Sequence, residues 1–214
     1  IKQKDNEKGK AILTDALTKD VADKPSLYIA LGYAFSIDKK FNEAIEQYQK
    51  LLKEKPDNAK GHFFLGAAYE RNGQRIEAIK AFRRTIEIDP KNAEAYNYLG
   101  YMFAEKSENL EEAVELIKKA LTIDPGNGAY IDSLGWAYFK KGMTDEALKE
   151  LGKAASIIND DPTITDHLGD VYYKKGMTDK AIGEWKKSLS LDNAQKEVEE
   201  KIKKAEKNEA INGN

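Results

Sequence analysis

The chain has 214 residues, 41% of them hydrophobic, which is enough for a sizeable core and unlike a disordered or membrane-spanning class. Its 35 lysines and arginines against 37 aspartates and glutamates give a formal net charge of -2, so the global basic field that favours nucleic acid is missing. The absence of cysteine excludes disulfides and thiolate chemistry but leaves the compartment open, and no stretch approaches the roughly 20 apolar residues that direct membrane insertion requires.

The sequence begins at Ile1 without a methionine, which predicts a fragment or processed form in which a leader or lipid anchor of the parent would not be visible. Residues 5–19 place Ile12, Leu13, Ala16 and Leu17 at the i, i+1, i+4, i+5 spacing of an amphipathic helix. Gly9, Leu13 and Ala16 align with Ala44, Tyr48 and Leu51 further on. Residues 1–24 are therefore read as the second helix of an incomplete repeat, with a simple capping helix as the alternative.

From there one unit recurs five times, over 25–58, 59–92, 93–127, 128–161 and 162–193. Leu-Gly pairs fall at Leu31-Gly32, Leu65-Gly66, Leu99-Gly100, Leu134-Gly135 and Leu168-Gly169, spaced by 34, 34, 35 and 34 residues. A period of this length marks an array of helical hairpins, each unable to bury its apolar face alone. In each first helix an aromatic follows the glycine by three residues: Phe35, Tyr69, Phe103, Tyr138 and Tyr172. The glycine is explained by close approach of the second helix, since a Cβ there would push that helix outward. The second helix carries an alanine (Ala44, Ala78, Ala113, Ala147, Ala181), a large residue four later (Tyr48, Phe82, Ile117, Leu151, Trp185) and a third residue three beyond that (Leu51, Thr85, Ala120, Ala154, Ser188), all on one stripe.

Pro56, Pro90 and Pro125 stop the second helices. Units four and five share the turn KKGMTD, in which Gly142 and Gly176 are expected to be left-handed and Thr144 and Thr178 to cap the next helix. Unit three has an extra residue and no glycine in EKSENLEE, so its turn should be longer and different. Residues 194–214 are read as a capping helix and tail, with a sparse stripe of Val198, Ile202 and Ala205 among alternating charges.

These residues resemble the tetratricopeptide repeat family, whose pattern of Leu-Gly, aromatic, Ala, large residue, small residue and Pro is matched over about residues 25–195. The resemblance implies an all-α, right-handed superhelical solenoid of antiparallel helix pairs, with first helices lining a concave groove that holds a peptide or partner protein. Residues 95–191 also look like bacterial members of the exported outer-membrane lipoprotein and protease-adaptor type. That likeness implies a periplasmic location, anchored through a missing N-terminal segment, with a cytoplasmic one as the alternative.

Catalytic constellations are poor. His62 and His167 are three repeats apart, which argues against a shared metal site, and His62 reads as a structural histidine. Ser36 and Lys39 have the S-x-x-K spacing of serine acyl enzymes without its partner motifs. Asp124 to Gly128 lacks the spacing and terminal glutamate of a calcium loop and reads as a turn between units. No cofactor, metal or enzymatic activity is expected.

A binding face is more legible. The residue after each Leu-Gly pair lies opposite the structural aromatics and shares its side with residues one turn away. The candidates for partner binding on that face are Tyr33, Phe63, Arg71, Asn97, Tyr101, Asp132, Trp136, Phe139, Asp166, Asp170 and Tyr173. They divide into an aromatic band and an acidic edge of Asp132, Asp166 and Asp170, so an apolar ligand with basic character is expected. The lysine and asparagine clamp that grips chaperone tails in one subfamily is not matched: its slots hold Ile29, Tyr33, Phe63 and Ala67, with Asn97 alone suggestive. The reading is a non-catalytic interaction scaffold, with homo-oligomerisation through terminal helix faces as the alternative.

Overall fold

The computed structural model describes residues 2–19 and 23–212, with side chains for 6–19 and 23–208. Among the described residues there are twelve α-helices and no strand. Helix α1 (Lys2–Leu17) precedes five pairs: α2 (Lys24–Ile37) with α3 (Phe41–Glu54), α4 (Ala59–Arg71) with α5 (Arg75–Ile88), α6 (Ala93–Glu105) with α7 (Leu110–Ile123), α8 (Gly128–Lys140) with α9 (Thr144–Ile157), and α10 (Pro162–Lys174) with α11 (Thr178–Leu191). Helix α12 (Lys196–Asn212) follows. No described helix is long and apolar enough to cross a membrane. The chain divides into two compact units, Ile1–Ala95 and Tyr96–Asn214.

Sequence chemistry fixes the helix ends. Asn58, Asn127 and Asp161 accept hydrogen bonds from backbone N–H groups in the first turns of α4, α8 and α10, and Pro162 opens α10 where a missing N–H costs nothing. Asp124 to Gly128 is thus a connection that caps α8. At the hairpin turns, the Met143 N–H donates to the Tyr138 carbonyl and the Gly142 N–H to that of Phe139, with Gly142 at φ 80°. This is the left-handed helix stop the sequence predicts. The expected threonine caps do not form. Because the turn closes through its own backbone, the next helix starts one residue sooner: Met143 and Met177 hold the capping positions without a side-chain bond, and Thr144 and Thr178 are already helical. Unit three keeps the same stop on Ser107 at φ 54° and fits its extra residue by placing Asn109 at φ 45°. Its turn is longer, as expected, but uses the same hydrogen-bond pattern.

The second-helix stripe is the core of each unit. All five of its alanines are 0% exposed, and Tyr48, Phe82, Ile117, Leu151 and Trp185 are at most 2% exposed. In Ile1–Ala95, Ala44, Ile45 and Tyr48 of α3 pack with Leu65 and Ala68 of α4. There α1 meets α2 through polar groups: buried Lys10 pairs with Asp38, and Asn6 donates to Asp38 at 2.7 Å. In Tyr96–Asn214, Ala147 and Leu151 pack with Leu168 and Val171, and Val198, Ile202 and Ala205 of α12 cover Ala181, Ile182 and Trp185 of α11.

Close approach explains the Leu-Gly glycines. A Cβ on Gly169 would lie 2.4 Å from Cδ1 of Trp185, and one on Gly32 would lie 2.5 Å from the Tyr48 ring. Gly183, exposed in the interior of α11, meets nothing within 4 Å. Gly183→Ala is therefore expected to raise stability by about 0.5–1 kcal/mol through helix propensity. At Gly169 the same change should lower it by about 1–3 kcal/mol, because the indole must move. Urea unfolding of the two variants checks the sign reversal.

Candidate functional site

The face offered by the first helices differs between the units. In Ile1–Ala95, Tyr33 and Ile37 stand one turn apart on α2 and are 56% and 57% exposed. Phe63 is half-buried, its ring 5.7 Å from that of Phe64 and 5.8 Å from that of Phe82. Arg71 is exposed beside Glu70. His62 lies 2.7 Å from the Pro56 carbonyl, a structural role. The Ser36 hydroxyl donates to the Gly32 carbonyl one turn back rather than engaging Lys39.

In Tyr96–Asn214 the same phase is partly closed. Trp136 is only 7% exposed. Its ring stacks on His167 at 3.9 Å and on Phe139 at 5.2 Å, Lys140 lies over it at 4.6 Å, and its Nε1 donates to Glu105 at 2.7 Å. Tyr101 flanks His167 at 6.5 Å. Asp132, 6% exposed, accepts from Nδ1 of His167 at 3.0 Å. Burial disfavours the His167 imidazolium, but the Asp132 charge, its hydrogen bond and the charges of Asp166 and Asp170 outweigh that, so its pKa is raised. The half-buried Asn97 has an Oδ1 without a hydrogen-bond partner among the described residues.

The expected acidic edge is not free. Asp166 and Asp170 both accept from Nζ of Lys201 on α12, at 2.7 and 2.9 Å, and Asp170 also accepts from Nε1 of Trp185 at 3.1 Å. Burial pushes the Asp170 carboxyl up against the pull of Lys201. One cation shared by two acids is held above its ordinary value, despite its own burial. Two expectations are thereby corrected: Asp132 and Trp136 are packed inside rather than presented to solvent, and all three aspartates hold hydrogen bonds within the chain. The physical reason is that the next first helix, or α12 in its place, lies across this phase and brings His167 and Lys201 to it.

His167 and Lys201 are the residues that single-residue reading missed. Lys201 completes an i, i+3, i+4, i+7 face with Val198, Ile202 and Ala205, a signal hidden by the charges around it. His167 follows Asp132 by 35 residues, the same offset that separates Lys201 from Asp166. Phe139 and Tyr173 are half-buried, and their rings line a pocket of ≈ 220 Å³. Among the described residues no group of three His, Cys, Asp or Glu could hold a metal ion.

A family model described as "Tetratricopeptide repeat" matches residues 65–128, and one described as "TPR repeat" matches residues 32–73 and 135–176, together more than half of the chain. No curated protein matches the sequence. Among solved structures, a thermophilic TPR protein of Thermus thermophilus aligns with TM-score 0.71 and 20% identity over 85% of this chain and 98% of its own. The MamA protein aligns with TM-score 0.64 and 25% identity over 83% of this chain and 96% of its own. The APC/C hetero-tetramer Cut9-Hcn1 gives TM-score 0.84 and 18% identity over 95% of this chain but 39% of the matched one. These likenesses share the fold.

Proposed function

The chain belongs to the tetratricopeptide repeat family, and on that premise we propose that it is a non-catalytic scaffold that binds a protein segment through the ring face of its first helices. The observation that carries this reading is that the chain leaves part of that face uncovered: Tyr33 and Ile37 are more than half exposed, and Phe139 and Tyr173 line an open pocket. Apolar side chains gathered at one helical phase mark interaction sites, and aromatics often dominate their energetics. Phe63 and Arg71 in Ile1–Ala95, and Asn97 and Tyr101 in Tyr96–Asn214, are further contacts at the same helical phase. Asp132 and Trp136 act from behind, by holding the helices that carry the face.

A catalytic role has less support. His167 is 4% exposed, its ring is covered by Trp136 and its Nδ1 is engaged with Asp132, which leaves a substrate no access to it. Self-assembly through the last helix is also disfavoured, because α12 buries Val198, Ile202 and Ala205 and turns Glu199, Glu200, Lys203 and Lys204 outward.

The test is affinity capture from a lysate of the source cells. The wild-type chain is expected to retain a partner that a Tyr33→Glu/Phe139→Glu variant loses, while circular dichroism of the variant still shows a folded helical chain. Equal capture by both would remove the ring face from consideration. Recovery of a processing protease or cell-wall enzyme would favour the exported-adaptor version.

A further inference from the structure

The pocket in Tyr96–Asn214 has a definite chemistry. Phe139, Tyr173 and Trp185 supply apolar walls, and Lys174, Lys201 and Lys204 supply cations. The Tyr173 and Trp185 rings lie 5.5 Å apart, and the Tyr173 hydroxyl is held by Asn208 at 3.2 Å. Asp170 is the one carboxylate among the lining residues, and it is committed internally: Oδ1 accepts from Trp185, and Nζ of Lys201 lies 2.8 Å from Oδ1 and 2.9 Å from Oδ2. Lys201 is itself shared with Asp166. Lys174 and Lys204 are exposed and, among the described residues, have no ion-pair partner. At ≈ 220 Å³ the pocket lies below the roughly 300–1,000 Å³ of sites that enclose a whole small molecule, and suits a single side chain of a larger ligand.

We propose that this pocket binds an acidic segment of a partner protein, in which a large apolar side chain enters against Phe139, Tyr173 and Trp185 while a neighbouring carboxylate pairs with Lys174 and Lys204. The inference rests on the scaffold reading above and reverses the ligand charge that the sequence alone suggests, because the acids of this face are satisfied from within and the unpaired charges left at its rim are positive. The ring contact supplies the anchor. The two exposed lysines supply orientation and selection against basic segments more than affinity.

The chain has two tryptophans, so a 15N-labelled sample has two indole N–H signals: Trp185 in the pocket, and Trp136 buried beside it and bonded to Glu105. The probe is the peptide acetyl-Glu-Asp-Phe-Glu-Asp-amide, run beside a version with Gln and Asn for the acids and a version with Lys. The acidic peptide is expected to move the Trp185 signal saturably and Trp136 much less. Lys174→Glu/Lys204→Glu should weaken it about tenfold or more, as should raising salt from about 0.05 to 0.5 M. Both lysines are exposed, and an unchanged Trp136 signal confirms that the variant is folded. The proposal is overturned if the Gln/Asn or Lys peptide binds as tightly, if charge reversal leaves the acidic peptide unaffected, or if the acidic peptide leaves Trp185 unmoved. Such a failure is distinguishable from failure of the scaffold reading, which is decided by loss of the captured partner on Tyr33→Glu/Phe139→Glu.

Discussion

Trp136→Ala is expected to destabilise Tyr96–Asn214 by about 3–5 kcal/mol, the range for deleting a large buried aromatic side chain. Trp136 looks like a binding residue by phase, yet it is 7% exposed and joins three helices: its ring stacks on His167 of α10, and its Nε1 bonds to Glu105 of α6. Truncation leaves a cavity beside a buried imidazole and removes the one described hydrogen bond to the Glu105 side chain. Phe139→Ala, one turn on and half-buried, should cost less and act mainly on ligand binding. Chemical denaturation of the two variants separates the roles, and a Trp136→Ala chain as stable as wild type would return Trp136 to the binding face.

Asp132→Ala is expected to cost about 3–5 kcal/mol, because it leaves His167 charged or polar in a buried place without its partner. Replacing both, as Asp132→Ala/His167→Leu, should recover much of that loss by removing the need for a partner. The pair also gives a pH dependence of definite sign. His167 binds its proton more tightly in the folded chain than in the unfolded one, since the carboxylates of Asp132, Asp166 and Asp170 outweigh burial. Its contribution is therefore complete below the ordinary histidine value of about 6.5 and drains away as pH rises through the raised native value. The urea midpoint should fall as pH is raised from about 6.5, and His167→Gln should flatten that slope. A midpoint that climbs over the same interval would contradict the assignment.

The hairpin array was readable from the chain because its signal is repeated. Ala147, Leu151 and Ala154 have counterparts at four other places in phase, and every one of those positions is buried. The binding face was readable only as a phase. Whether Tyr33 stands open or Trp136 is covered depends on what the neighbouring helix brings within reach, and periodicity carries no information about that partner. The pairing of the acidic edge was hidden for the same reason: Asp132, Asp166 and Asp170 are visible in the sequence, but the groups that answer them lie 31–35 residues away. Thr144 and Thr178 failed locally, because a glycine turn that closes through its own backbone needs no hydroxyl.

The common 35-residue offset from Asp132 to His167 and from Asp166 to Lys201 has a consequence for grafting. Helix α12 sits in the register that the leading helix of another hairpin would take, and Lys201 occupies the slot that His167 fills one period earlier. A hairpin spliced in after Gln195 would inherit that slot. Copied from residues 128–161, it would bring Ser133 there and leave Asp166 and Asp170 without a cation; copied from residues 162–195, it would bring His167 and offer Asp166 the bond that Asp132 receives. The second template is thus the better match to the acids already in place, though both carry the same apolar skeleton.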